Sequence, residues 1–250
     1  MKIRKQFNDE RYTYILQNKV ETLKYFSKFI KHGWFYPKEQ SEEQFNKFVS
    51  QYKRILCKPI SDEGGNGIHL YQSDFNREGY NELKNNDLLL EECIVQHPSM
   101  SFNNTSVNTI RVYSVLDKQG KAHILKAVLR AGVGDSVVDN YCSGGVIYPV
   151  NIDHGFIEAP GVRQMDRKPI SIHPGTDIIM LGFVIPHWNQ LIETVNLMAE
   201  SLPQVRYIGW DMVITPEGVD VIEANDNAHH AFFGRIGCER LFLKKLKSLV

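Results

Sequence analysis

Residues 209–226, GWDMVITPEGVDVIEAND, are the most informative stretch of the sequence. Two apolar runs rich in β-branched side chains, at 212–215 and 219–223, flank the residues Pro216-Glu217-Gly218, which have the composition of a turn. This pattern predicts a β-hairpin near the C-terminal end of the sequence.

The predicted hairpin brings oxygen-bearing side chains to one face. If the chain reverses around Glu217, Asp211 lies directly across from Glu223, and Asn225 shares a face with Glu223 because side chains alternate along a strand. Two directly opposed carboxylates repel each other, and a hard cation with oxygen ligands relieves that repulsion. The alternative is a solvated hairpin whose acidic side chains face water.

Composition excludes several classes of function. The chain has 250 residues, enough for one large domain or two lobes around a cleft. Lys+Arg and Asp+Glu both number 29, so no overall field favours nucleic acid or anionic lipid. The scattered cysteines form no CxxC pair, which argues against zinc and disulfides and fits a reducing compartment. No apolar stretch is long enough to span a bilayer, and we expect a soluble cytoplasmic protein.

Periodicity predicts the α+β class. Helical spacing runs from about residue 11 to 31 and again over 188–201 and 240–250, and Ser41 with Gln44 three residues later is typical of a helix start. Strand-like runs are found at 54–58, 68–71, 88–95, 109–116 and 123–130. Helices and antiparallel hairpins alternate without a regular βαβ repeat, which favours α+β over a doubly wound sheet.

A glycine-rich loop in RILCKPISDEGGNGIHLY, residues 54–71, is a candidate anion site. Lys58 ends one predicted strand, and Gly64, Gly65 and Gly67 can adopt positive φ and expose backbone N–H groups to a phosphate. The loop is not a Walker A motif, because its lysine precedes the glycines and a strand follows them. The alternative is a plain glycine-rich hairpin turn.

Two further segments offer candidate ligands. LLLEECIVQHP, residues 88–98, is an apolar strand that runs into two acids, and its end can offer backbone groups to an adenine edge or be an ordinary buried strand. In the simplest register of the hairpin around Gly120, Arg111 faces Lys126, and opposed cations attract an anion. Arg130 leads into a polar, glycine-rich loop containing Asn140, which is either a substrate loop or a surface connection.

Taken in order, these segments resemble the ATP-grasp superfamily, and most closely its sugar-transfer-associated branch. The resemblance covers about residues 18–227 and rests on QNKVETL, CKPISDEGGNGI, LLLEECIVQHP, SVNTIRVYSVL, AVLRAG with SVVDNYCSGGV, and IGWDMVITPEGVDVIEAN. It implies a single domain over 1–250, with a helical N-terminal segment and two α+β lobes, approximately 1–92 and 93–250, that hold ATP between antiparallel sheets.

The resemblance also implies roles for particular residues. Lys19 and Lys58 would contact the nucleotide phosphates, and a flap above them would consist of Gly64, Gly65, Asn66 and Gly67. The adenine would lie along Glu91, Glu92 and Ile94. Asp211, Glu223 and Asn225 would hold Mg²⁺. Arg111 and Arg130 would steady the transferred phosphate, and Asn140 completes the candidate catalytic set.

One departure concerns an arginine that many ligases of the family carry two residues before the first metal-binding aspartate. This position is Gly209 here, so Arg111 or Arg130 is expected to supply the missing charge, or the substrate binds differently. Few residues precede Lys19, so no separate N-terminal substrate domain is expected. The acceptor site is then built from the DNYCSGG loop, from another protein or from an open cleft.

The implied activity is an ATP- and Mg²⁺-dependent ligase. It activates a small carboxylate as an acyl phosphate and joins it to an amine or hydroxyl, such as a sugar-linked acceptor in cell-surface polysaccharide or glycan biosynthesis, with glycan-assembly enzymes as partners. One alternative is a kinase that phosphorylates a small-molecule or sugar acceptor. The other is a nucleotide-binding module without catalysis.

Overall fold

The computed structural model describes residues 3–61, 67–71, 76–102, 107–134, 145–163, 168–228 and 239–249. The helices are α1 (Ile3–Phe7), α2 (Tyr14–Gln17), α3 (Lys19–Tyr25), α4 (Glu42–Gln51), α5 (Arg77–Asn85), α6 (Trp188–Ser201) and α7 (Glu239–Ser248). The strands are β1 (Trp34–Phe35), β2 (Ile55–Pro59), β3 (His69–Leu70), β4 (Leu88–Glu92), β5 (Thr109–Leu116), β6 (Ala122–Ala131), β7 (Val146–Val150), β8 (Val162–Arg163), β9 (Tyr207–Thr215) and β10 (Gly218–Asn225).

The strands form two antiparallel sheets. The smaller sheet has 4 strands in the order β1-β4-β2-β3, and the larger has 6 strands in the order β10-β9-β5-β6-β7-β8. Neighbouring strands within each sheet run antiparallel. The predicted α+β class is therefore confirmed.

The N-terminal region, in which helical spacing was found over about residues 11–31, is divided into the short helices α2 and α3. Asn18 has an extended backbone between α2 and α3. Its side-chain Oδ1 accepts hydrogen bonds from the backbone N–H groups of Val20 at 2.9 Å and Glu21 at 3.2 Å. Such a side-chain cap satisfies the open N–H groups of a helix start, so the asparagine begins a new helix. Lys19 is consequently the first residue of α3.

Other local predictions agree with the structure. Ser41 caps α4 and forms the capping box with Gln44, and α6 occupies the predicted residues 188–201. The sequence pattern had not indicated α1, α5, β1, β7 or β8. α1, β1 and β8 are short and β7 is buried along its whole length, so these four lack a clear alternation of polar and apolar residues.

The hairpin of β5 and β6 has a different register from the predicted one. Leu116 pairs with Ala122, and a register shift after Tyr113 places Arg111 across from Val128. Lys126 lies across from Tyr113 and forms an ion pair with Glu158 instead. The prediction that Arg111 faces Lys126 is therefore wrong, because the turn closes at another residue and the irregularity moves the register further.

The larger sheet carries the main core on one face. Leu191, Val195 and Met198 of α6 are fully buried in the same apolar cluster as Trp210 of β9. The ring of Phe26 meets that of Trp210 edge to face at 5.4 Å, which places the segment after α3 against this sheet. Among the described residues, no helix combines the length and the apolar character needed to cross a membrane.

Candidate functional site

The hairpin of β9 and β10 pairs the two acids that the sequence predicted to face each other. Asp211 lies across from Glu223, and Asn225 lies across from Gly209. The reversal is tighter than predicted, since Gly218 already pairs with Thr215. An irregularity between Val221 and Glu223 then restores the expected pairing. The prediction of the opposed carboxylates is confirmed, but a β-bulge is part of its cause.

Asp211 is held by two arginines from neighbouring strands. It is 1% exposed and lies across from Arg111 of β5. The Arg111 guanidinium donates from both Nε and Nη2 to the carboxylate, the latter at 2.6 Å from Oδ2. Arg130 of β6 places its Nη2 3.2 Å from the same Oδ2. Burial alone would raise the pKa of Asp211, but the two arginines lower it, so this carboxylate is ionised.

Glu223 is in the opposite electrostatic situation. Burial and the neighbouring Asp211 charge raise its pKa, although Arg111, Lys19 and Arg130 act in the other direction. Within the described residues, the Glu223 carboxylate forms no hydrogen bond or ion pair. A half-buried carboxylate beside another acid is a position at which a cation is favourable.

Asn225 completes the oxygen-bearing face of the hairpin. Its Nδ2 is buried without a hydrogen-bond partner in the described part of the chain. Two carboxylates and an amide provide the oxygen ligands that a hard cation such as Mg²⁺ prefers. No group of at least three His, Cys, Asp or Glu side chains close enough for a metal ion is found among the described residues, so any site here depends on the amide and on the nucleotide or water. The donor set fits Mg²⁺ better than zinc.

Gly209 lies where Arg111 passes over the hairpin. A Cβ atom at Gly209 would lie 2.5 Å from the Ala228 Cβ and 3.5 Å from the Arg111 Cδ. There is no room for a side chain of any size unless the neighbours move. Arg111 of β5 thus lies close to position 209, where the arginine of many ligases in the family is absent.

A second cluster of charged residues lies between the two sheets. Lys58 of β2 and Glu91 of β4 form an ion pair and are 6% and 3% exposed. His32, which precedes β1, places its Nε2 3.6 Å from the Glu91 Oε2 and its Nδ1 2.9 Å from the Asp220 Oδ2. Asp220 belongs to β10, so the cluster connects the smaller sheet to the hairpin that carries Glu223.

The buried cluster perturbs the titration of its members. Burial by itself would lower the pKa of His32, but Asp220 and Glu91 raise it to about 9. Burial by itself would raise the pKa of Glu91, but Lys58 and His32 lower it to about 2. His32 and Glu91 are therefore both charged near neutral pH, and each lies beside a neighbour of opposite sign.

Of the remaining predicted nucleotide-binding residues, Lys19, Gly67, Glu92 and Ile94 belong to the part of the chain that the structure describes. The Lys19 backbone N–H donates to Ile60 O at 3.2 Å, which joins the start of α3 to the end of β2. Glu92 Oε2 accepts the Gly33 N–H at 2.9 Å, and Ile94 is half-buried beyond the end of β4. Gly67 has a φ of +72°, the conformation expected of a glycine in the flap. Gly64, Gly65, Asn66 and Asn140 lie outside the described residues.

The structure thus brings Arg111, Arg130, Asp211, Glu223 and Asn225 together on the larger sheet, and Lys58 and Glu91 together on the smaller one. Sequence reasoning missed His32 and Asp220. Asp220 is one acid in an alternating strand, and His32 is a single histidine 188 positions away, so no local pattern marks them as partners.

The fold and the charged residues define an α+β protein with two antiparallel sheets, one with a buried lysine and the other with opposed acids. The chain belongs to the sugar-transfer-associated ATP-grasp family, whose model matches residues 2–248. This agrees with the family that the sequence segments resembled. A comparison with curated proteins found no match.

Solved structures of ATP-grasp enzymes share the fold. The ATP-grasp ligase PsnB, complexed with a minimal precursor, Mg and ADP, aligns with a TM-score of 0.57 and 14% identity over 96% of this chain and 61% of that chain. The N5-carboxyaminoimidazole synthetase of Staphylococcus aureus, complexed with ADP, aligns with a TM-score of 0.55 and 10% identity over 89% of this chain and 48% of that one.

A third similar structure is the biotin carboxylase domain of the Hydrogenobacter thermophilus 2-oxoglutarate carboxylase, with a TM-score of 0.55 and 14% identity over 89% of this chain and 42% of that chain. The chain spans about three fifths of the length of PsnB and less than half of the other two. At these identities, the likeness establishes the fold that the sequence predicted, with two sheets and accompanying helices.

Proposed function

We propose that the protein is an ATP- and Mg²⁺-dependent ligase that activates a carboxylate as an acyl phosphate and joins it to an amine or hydroxyl. The observation that carries the proposal is the pairing of Asp211 with Glu223, beside Asn225 and beneath Arg111 and Arg130. This face offers oxygen ligands for a cation and guanidinium groups for a phosphoryl group at one place. The similar enzymes PsnB and the synthetase of Staphylococcus aureus, both solved with ADP, support the nucleotide.

The proposed magnesium ligands are Asp211, Glu223 and Asn225. Mg²⁺ held by these residues would neutralise negative charge on the nucleotide phosphates. The two arginines keep Asp211 ionised, and the Glu223 carboxylate forms no hydrogen bond or ion pair with the described residues. Because Arg111 and Arg130 already contact Asp211, they are available at the same face to steady the transferred phosphoryl group.

The proposed nucleotide contacts come from the smaller sheet and the helix start beside it. Lys58 and Lys19 would bind phosphates, with Gly67 and the residues Gly64, Gly65 and Asn66 covering them. Glu92 and Ile94 would lie along the adenine where β4 ends, with Glu91 contributing through its backbone, because its side chain is paired with Lys58. We propose that residues 1–250 form one domain for this purpose, with lobes that meet near residue 92.

The proposed chemistry needs no nucleophile from the protein. A carboxylate oxygen of the substrate attacks the γ-phosphorus of ATP, the bond to the β,γ-bridging oxygen breaks, and ADP leaves. An amine or hydroxyl of the acceptor then attacks the acyl carbon, loses its proton and expels inorganic phosphate. Positioning and charge neutralisation by arginine and lysine account for catalysis of phosphoryl transfer. Asn140 is proposed to contact the substrate.

The acceptor is proposed from the family alone. Its sugar-transfer association favours a sugar-linked amine or hydroxyl in cytoplasmic glycan or cell-surface polysaccharide assembly, with the enzymes of that assembly as partners. The structures of PsnB with its precursor peptide PsnA2 make a peptide acceptor a second class to include in any screen. Small carboxylates, including amino acids, are the proposed donors.

A hydroxylamine trap tests this function. The protein is incubated with Mg²⁺, ATP, hydroxylamine and pooled small carboxylates, and hydroxamate and ADP are measured together. The expected result is ATP-dependent hydroxamate that is lost in Glu223→Gln and kept in Glu217→Gln, a matched change at an exposed position of the same hairpin. ADP accompanied by a stable phosphoester, without hydroxamate, would identify a kinase instead. Binding of ATP without either product, across donors and acceptors, would identify a module without catalysis.

A further inference from the structure

The segment just before β1 is attached to both sheets. On the side of the larger sheet, the backbone N–H groups of Lys31 and His32 each donate to the Asp220 carboxylate at 2.9 Å. On the side of the smaller sheet, the next residue, Gly33, exchanges hydrogen bonds with Glu92 through its N–H and its carbonyl oxygen. The segment therefore fixes the position of β10 relative to β4.

The His32 ring lies between an acid from each sheet. Its Nδ1 is 2.9 Å from the Asp220 Oδ2, within hydrogen-bond distance. Its Nε2 points toward Glu91 at 3.6 Å, beyond hydrogen-bond distance, and is buried without a hydrogen-bond partner among the described residues. Glu91 itself is bonded to Lys58. The ring thus has one satisfied nitrogen and one that stands close to a carboxylate already used by another cation.

Binding of a phosphate by Lys58 would change this balance. Glu91 is 3% exposed, and a buried carboxylate that loses its cation is strongly unfavourable. If Lys58 turns toward a phosphate, the Glu91 carboxylate therefore needs another cation in its place. The His32 Nε2 is the nearby donor that has no hydrogen bond of its own, and Asp220 keeps its ring charged and oriented.

We propose that His32 is a positioning residue of the nucleotide site, which takes over the Glu91 carboxylate when Lys58 binds the nucleotide phosphates. The inference rests on the proposed function, because it requires Lys58 to contact phosphate. It assigns a role to His32 and Asp220 that sequence reasoning did not reveal. It also joins the phosphate-binding lysine, through Asp220, to the strand that carries Glu223.

The test measures the affinity of the protein for Mg²⁺ with the non-hydrolysable analogue AMPPNP, for ADP and for adenosine, by titration calorimetry. His32→Gln is expected to weaken the binding of both phosphate-bearing nucleotides about tenfold, because Lys58 then stays with Glu91 and its charge-assisted contact with the phosphates is lost. The affinity for adenosine is expected to stay unchanged. Lys58→Met is expected to do the same, and the double variant to be no weaker than Lys58→Met alone. Asp220→Asn, which retains an acceptor for the backbone N–H groups, is expected to weaken the same ligands by a smaller factor.

His123→Gln is the matched control. His123 pairs with Asp117 at 2.7 Å beside the turn between β5 and β6, a histidine–aspartate pair outside the proposed site. Its substitution is expected to change none of the affinities. Equal nucleotide affinities of the wild type and His32→Gln would overturn the inference, as would an equal loss for adenosine. Failure of the wild type to bind any of the nucleotides would instead overturn the proposed function.

A measurement on the wild type covers the case in which the variants do not fold. The nuclear magnetic resonance signal of the His32 Nε2–H is expected to move downfield when Mg²⁺ and AMPPNP bind, since it gains the Glu91 carboxylate as acceptor. Adenosine is expected not to move it. A signal that is unchanged at saturating AMPPNP would overturn the inference.

Discussion

The two groups of buried charges are built in opposite ways. Around Asp211, the paired acids and the two arginines come from adjacent strands of one sheet, and the Glu223 carboxylate forms no hydrogen bond or ion pair within the described structure. Around Glu91, each charge has a partner of opposite sign, and the pairs cross from one sheet to the other. The group around Asp211, in which Glu223 has no such contact, is suited to receiving a ligand, whereas the group around Glu91 is suited to holding the sheets in place.

The largest effect that would sharpen this comparison is on catalysis. Glu223→Gln is expected to lower ATP-dependent product formation by about a thousandfold, since the cation loses a carboxylate ligand. The same change is expected to leave the protein at least as stable as the wild type, because a carboxylate beside Asp211 is itself unfavourable. Steady-state kinetics and urea unfolding would check both. Normal activity with unchanged Mg²⁺ dependence would show that Glu223 is not a metal ligand.

The corresponding substitution in the group around Glu91 is expected to lower the stability of the fold. Glu91→Gln leaves Lys58 and His32 without their shared carboxylate, and breaking a buried ion pair costs about 3 kcal/mol. The midpoint of urea unfolding should fall accordingly, in contrast to Glu223→Gln. If both variants had the same stability, the distinction between the two groups would be lost.

A smaller effect is expected where Arg111 passes over the hairpin. Gly209→Ala places a Cβ 2.5 Å from the Ala228 Cβ, and overpacking of this kind costs about 1–3 kcal/mol. Because Arg111 lies 3.5 Å from the same Cβ, the change is also expected to weaken product formation. Thermal unfolding and kinetics would check both effects. An unaltered Tm for Gly209→Ala would argue against the close packing.

The smallest expected effect is the dependence of stability on pH. The pKa of His32 is raised from 6.5 to about 9, so its protonation stabilises the folded state fully below pH 6.5, and this contribution is lost as the pH rises through about 9. Asp220 of β10 and Glu91 of β4 face the ring, and Lys58 lies beyond Glu91. The difference in unfolding free energy between the wild type and His32→Gln should therefore shrink between pH 6.5 and 9.5, by on the order of 1 kcal/mol. A difference that grew over this range would contradict the assignment of the charge.

Local chemistry allowed part of this structure to be predicted. The turn residues and the alternating strands placed Asp211 opposite Glu223, and Ser41 with Gln44 marked the start of α4. The α+β class and the family could also be predicted from the order of the segments. These features depend on residues close together in the sequence or on the succession of elements along it.

The rest depended on contacts between distant residues. Arg111 and Asp211 are 100 positions apart, and the register that joins them is set by the pairing of β5 with β9, which no local residue pattern indicated. His32 and Asp220 meet only because the segment before β1 crosses to the larger sheet. Asn18 showed the opposite difficulty, since an apolar periodicity that continues past it concealed its role as a helix cap.

The central claim is that the group around Asp211 is the cation site. The most direct test replaces Mg²⁺ with Mn²⁺ and measures Mn²⁺ binding by electron paramagnetic resonance at saturating AMPPNP. We expect the wild type and Glu91→Gln to bind Mn²⁺ and Glu223→Gln to lose most of that binding. Equal Mn²⁺ binding by Glu223→Gln and the wild type, with nucleotide bound to both, would contradict the account.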